Sequence, residues 1–261
     1  MALTVNTNVE AMNASLNLNQ TENNLTAAMR HLSSGLRINS AADDVAGYAI
    51  SQRLQAQVNG LNQARLNSQD AVSLAQTAQG ALSDVANMLQ RVRELAVQYA
   101  NGTTSESDQE AIEAEASQLK EEIKRVGETT QFNGVNLLKE EAKIAFQVGA
   151  NEKEQIEVST IALAKAVEKA SVKEIKTIDE GIAAVTKSAG EFGAVQNRIQ
   201  YTETNLEIYS QNLSAAVSGI VDVNMASEMT NFTKDQVLQQ AGVAILAQAN
   251  QIPTAVLKLV G

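Results

Sequence analysis

Residues 178–220 read IDEGIAAVTKSAGEFGAVQNRIQYTETNLEIYSQNLSAAVSGI, and an apolar residue returns at every seventh position. The seven positions are Ile178, Val185, Phe192, Ile199, Leu206, Leu213 and Ile220. A repeat of seven is the signature of helices that pack along their length, and at about 1.5 Å per residue it predicts a rod of roughly 60 Å. The companion seam from Ile182 through Gln196 to Val217 is less apolar, so we expect looser packing on that side.

A second apolar stripe lies upstream, with spacings that alternate between three and four residues. Its members are Leu82, Val85, Leu89, Val92, Ala96 and Tyr99. The pattern predicts a matching long helix that begins near Ser40, because Ser40 and Asp43 have capping-box spacing. The helix is predicted to stop at the turn dipeptide Asn101-Gly102.

The remaining segments complete the prediction of the fold class. A third helix is predicted from about Ser105 to Val126, and Thr177 with Glu180 has the spacing of a cap for the C-terminal rod. Only residues 131–160 carry short apolar runs separated by turn-forming or charged residues. The chain is therefore predicted to be mainly α, a long antiparallel helical bundle or coiled coil with a small β-hairpin patch in the middle.

Composition narrows the classes of function. Aromatic residues make up only 3% of the chain, so its apolar residues are mostly aliphatic and suit long helices with thin cores. A net charge of -10 argues against nucleic acid or an anionic membrane as a partner. The N-terminal stretch MALTVNTNVEAMNASLNLNQ lacks the basic and apolar regions of a signal peptide, which predicts export without a cleavable signal if the protein is secreted.

Both ends of the chain carry shorter fragments of the same repeat. The N-terminal fragment is Val5, Val9, Met12 and Leu16, and the C-terminal fragment is Ile245, Ala249, Ile252, Val256 and Leu259. A terminal helix with an apolar stripe and no adjacent segment to cover it needs the opposite terminus or another molecule.

Several long motifs at both ends closely resemble bacterial flagellins. They are LSSGLRINSAADDVAGYAIS at 32–51, QRVRELAVQYANGT at 90–103, QFNGVNLL at 131–138, FGAVQNRIQYT at 192–202 and NMASEMTNFTKDQVLQQAGVAILAQANQIP at 224–253. The resemblance covers about the first 150 and the last 85 residues. It implies a structural subunit that self-assembles into the flagellar filament for motility.

The architecture that the resemblance implies has two layers, known in flagellins as D0 and D1. Residues 1–40 and 223–261 would be the inner-tube (D0) helices. Residues 41–176 would form the N-terminal helices and β patch of the shell (D1), and residues 177–222 its C-terminal helix. Only residues 139–176 separate the matching blocks, so this is expected to be a short form without outer variable domains.

The residues expected to act in assembly are the apolar ones of these helices. For the inner tube they are Val5, Val9, Met12, Leu16, Leu25, Met29, Leu32, Met229, Phe232, Ile245, Ile252, Val256 and Leu259. For shell packing they are Leu82, Val85, Leu89, Val92, Ile178, Val185, Phe192, Ile199, Leu206, Leu213 and Ile220.

The resemblance also implies partners. Arg91, Leu95 and Glu115 match flagellin positions that Toll-like innate receptors contact, with Arg91 and Leu95 on one helix face as a donor beside an apolar knob. A flagellar export chaperone, a cap and hook–filament junction proteins are expected partners besides other copies of the chain. A hook–filament junction protein is the alternative function, since such proteins share flagellin-like ends.

One stretch departs from the family pattern. In AAVSGIVDVNMA at 215–226, Val217, Gly219, Val221 and Asn224 stand where flagellins usually have charged residues. This stretch connects the shell to the inner tube. We hypothesise that these residues bias the filament towards one packing state.

No set of residues predicts chemistry. Asp43 and Asp44 are adjacent and do not converge on a helix, so capping is expected of them instead of metal binding. His31, the single histidine, lies between Arg30 and Leu32 and is expected to be a plain surface or interface residue. No nucleophile with a base, phosphate loop or metal cluster can be assembled, which predicts a non-enzyme without cofactors.

Overall fold

The structure is a computed structural model that describes residues 7–168 and 170–260, with side chains described up to residue 251. The described residues form six helices and two antiparallel strand pairs. The helices are α1 Val9–Ser34, α2 Val45–Tyr99, α3 Glu106–Thr129, α4 Leu163–Val167, α5 Ile175–Val221 and α6 Met225–Val260. The strands are β1 Gln131–Phe132, β2 Val135–Asn136, β3 Lys143–Gln147 and β4 Gln155–Ser159. The predicted mainly helical class with a central β patch is confirmed.

The chain divides into two compact units, which we call the central unit, residues 56–212, and the terminal unit, residues 7–55 and 213–260. Both α2 and α5 contribute to each unit. The boundaries expected from the sequence, at 40 and 222, differ from these divisions, which lie within α2 and α5. They lie near the turns of the chain that follow the end of α1 at Ser34 and the end of α5 at Val221.

The core of the central unit is formed by the two stripes predicted from the sequence. Fully or almost fully buried are Leu82, Val85, Leu89, Val92, Ile178, Val185, Phe192, Ile199 and Leu206. The two helices are antiparallel, because Arg93 Nε contacts Asp179 Oδ1 at 2.7 Å while Gln69 Nε2 donates to Glu203 Oε1 at 3.1 Å. The companion seam of α5 is half-buried throughout, as its lower apolar content predicts. Leu213 and Ile220, which belong to the terminal unit, are half-buried.

Side-chain caps explain where the helices begin. Ser105 and Asp108 form a reciprocal capping box at the start of α3, as predicted. The predicted start of α2 near Ser40 is wrong, because the Asp43 carboxylate accepts the backbone N–H groups of Asn39 and Ser40 and closes a separate turn. Asp44 then accepts the N–H of Gly47, and α2 begins at Val45.

The predicted cap of the C-terminal rod is also wrong. The helix α5 begins at Ile175, so Thr177 lies inside its first turn. The Thr177 hydroxyl donates to the carbonyl of Glu174 and accepts the N–H of Ser171, which ties the preceding bend to the helix.

The β patch covers part of this core. The hairpin β1–β2 turns at Asn133 and Gly134, whose φ angles of 49° and 81° suit the Asn-Gly pair. In the second hairpin, β4 buries Ile156 and Val158 and exposes the other three residues of the strand. The second hairpin therefore acts as a one-sided cover, with alternating apolar and polar residues on β4.

In the terminal unit, α1 packs against α6. The helix α1 ends because Gly35 takes a left-handed conformation, with φ 73°, and donates its N–H to the carbonyl of His31. Val5 lies outside the described residues, and so do the side chains of Ile252, Val256 and Leu259.

Candidate assembly surfaces

The inner seam of the terminal unit is a sevenfold repeat made largely of small and polar residues. On α1 its buried and half-buried members are Ala11, Ala14, Leu18, Thr21, Leu25, Ala28 and Leu32. On α6 they are Glu228, Phe232, Asp235, Gln239, Gly242, Leu246 and Ala249. Both sets alternate spacings of three and four, as packed helices do. The sequence analysis identified Leu25, Leu32, Phe232 and Ala249 but missed the rest of this seam, because most of its other members are small or polar.

Two polar contacts fix the antiparallel pairing of α1 and α6. Near the start of α1, Asn8 Nδ2 donates to the carbonyl of Ala249 at 2.8 Å. Near its end, His31 Nδ1 lies 2.8 Å from Glu228 Oε1, with both side chains less than a fifth exposed. His31 is thus an interface residue within the chain. Between these contacts the helices pack closely at Gly242, where a Cβ atom would lie 3.2 Å from Leu18 Cδ1.

The predicted inner-tube residues of α1 divide between two faces. Leu25 and Leu32 lie in the inner seam. Val9, Met12 and Leu16 lie on an outer stripe, about 170° round the helix from the seam, and are 56%, 59% and 66% exposed. Met29 is also exposed. In a single chain the outer stripe of α1 is therefore not covered by α6.

The helix α6 divides in the same way. Phe232 lies in the inner seam, whereas Met229 and Ile245 are exposed. On the outer surface of α6, Met229, Val237 and Leu238 line a shallow apolar depression together with two threonines and Lys234. Each terminal helix thus presents an apolar surface that its partner helix does not cover.

A short backbone ribbon closes the terminal unit where the chain turns after α1 and before α6. The N–H of Arg37 donates to the carbonyl of Val221 at 2.6 Å, and the N–H of Val223 donates to the carbonyl of Gly35 at 3.0 Å. Arg37 Nη2 donates to the carbonyl of Ile220 at 2.6 Å. The ribbon is held by backbone groups and one guanidinium, so it needs no acidic side chain at 217–221.

In the central unit, the exposed pair of Arg91 and Glu115 links α2 to α3. The Glu115 carboxylate lies 2.9 Å from Arg91 Nη2, and Glu94 lies 3.1 Å from Nη1. Hydrogen bonds to these two carboxylates hold the pKa of Arg91 above its ordinary value. The prediction of an exposed apolar knob at Leu95 is wrong, because Leu95 is 2% exposed and belongs to the core.

The acidic pair after the α1 turn has a capping role. Hydrogen bonds from Ser40 and Asn39 lower the pKa of Asp43, which also forms an ion pair with Arg30 at 3.0 Å. Across the described part of the chain, no cluster of three or more His, Cys, Asp or Glu side chains is arranged to hold a metal. Within those same limits, none of the helices has the length and apolarity of a membrane span.

Comparisons with known proteins agree at both ends of the chain. The family described as the bacterial flagellin N-terminal helical region matches residues 5–143, and the bacterial flagellin C-terminal helical region matches residues 175–260. The flagellin of Halalkalibacterium halodurans is 49% identical over 98% of each chain.

Two solved structures are also similar. The crystal structure of Bacillus cereus flagellin matches with a TM-score of 0.51 and 29% identity, over 58% of this chain and 94% of that chain. A putative flagellar hook-associated protein from Vibrio parahaemolyticus matches with a TM-score of 0.58 over 69% of this chain and all of its own. At 14% identity, the second likeness shows a shared fold alone.

Proposed function

This chain belongs to the bacterial flagellin family and is a structural subunit of the flagellar filament, and from that premise we propose how it assembles. The helices α1 and α6 would form the inner tube of the filament, and the central unit would form its shell. The residues expected to pack the shell are the buried stripes of α2 and α5. Between the two matched regions only residues 144–174 remain, which fits a short form without outer variable domains.

The observation that carries this proposal is the pair of uncovered apolar surfaces on α1 and α6. Val9, Met12 and Leu16 project from α1, while Met229 and Val237 project from α6. The two surfaces are unlike, so a contact between them joins different faces of two copies. A contact of that kind propagates into a helical polymer when the rotation between copies does not close a ring. Burying exposed apolar side chains in this way supplies the driving force for assembly.

Seeded growth tests the role of the outer stripe. We expect Leu16→Glu to stop purified monomer from extending filament fragments, because it places a charge in the intersubunit contact. Asn17→Glu is the matched control, since Asn17 is exposed on α1 away from both the seam and the outer stripe, and it should extend the fragments. Equal growth by the two variants would show that the outer stripe is not an assembly surface.

Truncation tests the division of labour between the units. Deleting the chain from Ile252 should abolish filaments while the central unit keeps its cooperative thermal transition. A truncated chain that still polymerises would refute the inner-tube role of the C-terminal helix. Repeated extension of fragments by the intact chain also distinguishes a filament subunit from a hook–filament junction protein. No observation favours the junction protein.

The exposed apolar side chains of α6 also motivate the proposed chaperone. Val237, Leu238 and Ile245 are 59%, 45% and 60% exposed, and such surface is prone to aggregation before assembly. A dedicated export chaperone would cover α6 until the chain leaves the cell. Export would not require a cleavable signal. The chain would then join the extracellular filament between the junction proteins and the cap. Binding of the cognate chaperone should be lost when α6 is deleted from Met225, and unchanged binding would contradict this role.

Recognition by a Toll-like innate receptor is a further proposal for the monomer. Arg91 and Glu115 are both about half exposed, so a partner can reach them. Their main role is expected to be a subunit contact in the filament, and a receptor would use the same surface on monomers. Arg91→Ala should lower receptor signalling, and unchanged signalling by folded monomer would exclude the contact. We propose no enzymatic activity for this chain.

A further inference from the structure

Three Asn-Gly dipeptides occur in the chain, at residues 59–60, 101–102 and 133–134. This dipeptide is prone to deamidation, because glycine has no Cβ atom to hinder attack by its backbone nitrogen on the preceding side chain. All three asparagines are exposed, so access to water does not distinguish them. Their backbone conformations differ, and the conformation decides which dipeptide can react.

The first dipeptide lies inside α2, where the helix protects it. In helical backbone the N–H of Gly60 donates to the carbonyl four residues before it, so the nitrogen is engaged. The site is also tightly packed, since a Cβ atom built at Gly60 would lie 3.0 Å from Cβ of Ala150. Ring closure between Asn59 and Gly60 would therefore require local opening of α2.

The hairpin turn at Asn133 and Gly134 protects its asparagine in another way. Asn133 has a φ of 49° and is left-handed, as the tight connection between β1 and β2 requires. At a ψ of about 47°, which is typical of that region, the nitrogen of Gly134 lies almost opposite Cβ of Asn133 across the Cα–C bond. The side-chain carbon Cγ therefore cannot approach that nitrogen while the hairpin is closed.

The dipeptide of Asn101 and Gly102 has neither protection. It lies in the exposed turn between the end of α2 at Tyr99 and the start of α3. Asn101 does not have the left-handed backbone of Asn133. Among the described residues, neither the side-chain amide of Asn101 nor the backbone N–H of Gly102 has a hydrogen-bond partner.

The same turn also activates the nitrogen of Gly102. The carbonyl of Asn101 accepts the backbone N–H of Thr104 at 3.2 Å and also the hydroxyl of Thr104. Two donors on this carbonyl polarise the peptide bond between Asn101 and Gly102. Polarisation favours loss of the proton from the Gly102 nitrogen, which is the attacking atom.

From this geometry we propose that Asn101 is a site of spontaneous deamidation and that the fold protects Asn59 and Asn133. The Gly102 nitrogen gives its proton to hydroxide and attacks Cγ of Asn101. The new C–N bond forms, the bond from Cγ to the amide nitrogen breaks, and that nitrogen takes a proton from water and leaves as ammonia. Water then opens the succinimide to aspartate or isoaspartate. The reaction needs only the folded monomer and water, so it does not depend on assembly into filaments.

The isoaspartate product changes the connection between α2 and α3. In that product the backbone runs through Cβ and Cγ of residue 101, which adds one atom to the chain and leaves the former carbonyl as a free carboxylate. The turn that Thr104 closes on that carbonyl is lost. The capping box of Ser105 and Asp108 follows directly, so deamidation loosens the start of α3.

Peptide mapping of aged monomer tests the site. Folded wild-type chain is kept in mildly alkaline buffer and digested, and deamidation at each asparagine is followed by mass spectrometry, with isoaspartate detected by an isoaspartyl methyltransferase. We expect Asn101 to react about tenfold faster than Asn59 or Asn133. In denaturing guanidinium chloride the three rates should converge, because the helix and the hairpin are gone. Equal rates in the folded chain would overturn the proposal, and so would an unchanged ratio in denaturant.

The variant Gly102→Ala tests the attacking atom. A Cβ atom built at Gly102 meets no atom within 4 Å, so the fold accepts alanine there, while the methyl group hinders attack by the nitrogen. We expect Asn101 to react about tenfold more slowly in this variant, with unchanged slow rates at Asn59 and Asn133. Circular dichroism identical to that of wild type would show that folding is intact. An undiminished rate at Asn101 in the folded variant would overturn the assignment of Gly102 as the nucleophile.

Discussion

The imidazole Nδ1 of His31 and the carboxylate Oε1 of Glu228 lie 2.8 Å apart between α1 and α6, where 19% and 17% of the two side chains are exposed. A carboxylate can only accept a hydrogen bond, so the imidazole of His31 donates it from Nδ1. We expect His31→Ala to weaken the helix pair by about 1 kcal/mol, because Glu228 loses its hydrogen bond to α1 in a half-buried site and keeps only the one from Asn231 on α6. The measurement is the critical monomer concentration for filament growth, which should rise.

The control for that contact is His31→Asn, in which the shorter amide donor can still face Glu228. Partial recovery by His31→Asn, relative to His31→Ala, is expected. If the two variants have the same critical concentration as wild type, the His31–Glu228 hydrogen bond does not hold the terminal helices together.

The terminal helices pack closely at Gly242, which faces the side chain of Leu18. Its replacement by alanine adds a Cβ atom 3.2 Å from the end of the flexible Leu18 side chain, while it gains about 0.5–1 kcal/mol of helix stability. We expect Gly242→Ala to be tolerated and Gly242→Leu to separate α1 from α6, at a cost of about 1–3 kcal/mol. Growth on filament fragments should be normal for the first variant and slow for the second. Normal growth of Gly242→Leu would mean that the helices need not approach so closely.

Substitutions of Leu95 and Arg91 should differ in their effect on the thermal stability of the central unit. Leu95→Ala removes a buried side chain from the core and should destabilise the central unit by about 3 kcal/mol, which lowers its melting temperature. Arg91→Ala removes only two exposed ion pairs, with Glu94 and Glu115, and should leave the melting temperature almost unchanged. Calorimetry on both monomers checks the contrast. An unchanged melting temperature for Leu95→Ala would contradict its burial.

Asp108 makes the start of α3 sensitive to acid. Hydrogen bonds from the hydroxyl and backbone N–H of Ser105 hold the pKa of Asp108 below its ordinary value. A carboxyl whose pKa is lower in the folded state stabilises the fold above its unfolded pKa, near 4, and that contribution is lost as the pH falls through the folded pKa. We therefore expect Asp108→Asn to lose less thermal stability than wild type between about pH 5 and pH 2.

The matched control for this prediction is Asp84→Asn, which removes an exposed carboxylate of α2 that accepts no hydrogen bond among the described residues. Its acid dependence should follow that of the wild-type chain. Parallel acid curves for Asp108→Asn and wild type would exclude a contribution from the capping box.

The uncharged stretch before α6 gives a prediction about filament form. Val221 contributes its carbonyl to the ribbon with Arg37, and its side chain is half-buried. Val221→Arg would place a second cation near the Arg37 guanidinium and should change the waveform of the filament in electron micrographs. Val221→Leu keeps the stretch uncharged and should preserve the wild-type form. An unchanged waveform for the arginine variant would count against a packing bias at these positions.

Much of the fold could be predicted from residue spacing alone. The buried stripes of α2 and α5 follow the repeats of seven, because helical periodicity places such residues on one face whatever they pack against. The capping box of Ser105 and Asp108 could also be predicted from the sequence, since it depends on four consecutive residues. Leu95 lies three residues after Val92 and next to Ala96, so the same period places it in the core, whereas the resemblance to a receptor-contact position predicted an accessible side chain.

The start of α2 and the assignment of faces in the terminal helices needed the tertiary structure. Ser40 and Asp43 have the spacing of a cap, yet the Asp43 carboxylate closes a turn and pairs with Arg30, so Asp44 is left to start the helix. On α1, both an alanine-rich stripe and a stripe of larger residues have helical period. Only the packing of α6, with Gly242 against Leu18, shows that the small residues meet within one chain and leave Val9, Met12 and Leu16 uncovered. The sequence by itself thus determined that the helices have apolar faces, and the three-dimensional pairing decided which face is buried, because close packing selects shape and not hydrophobicity alone.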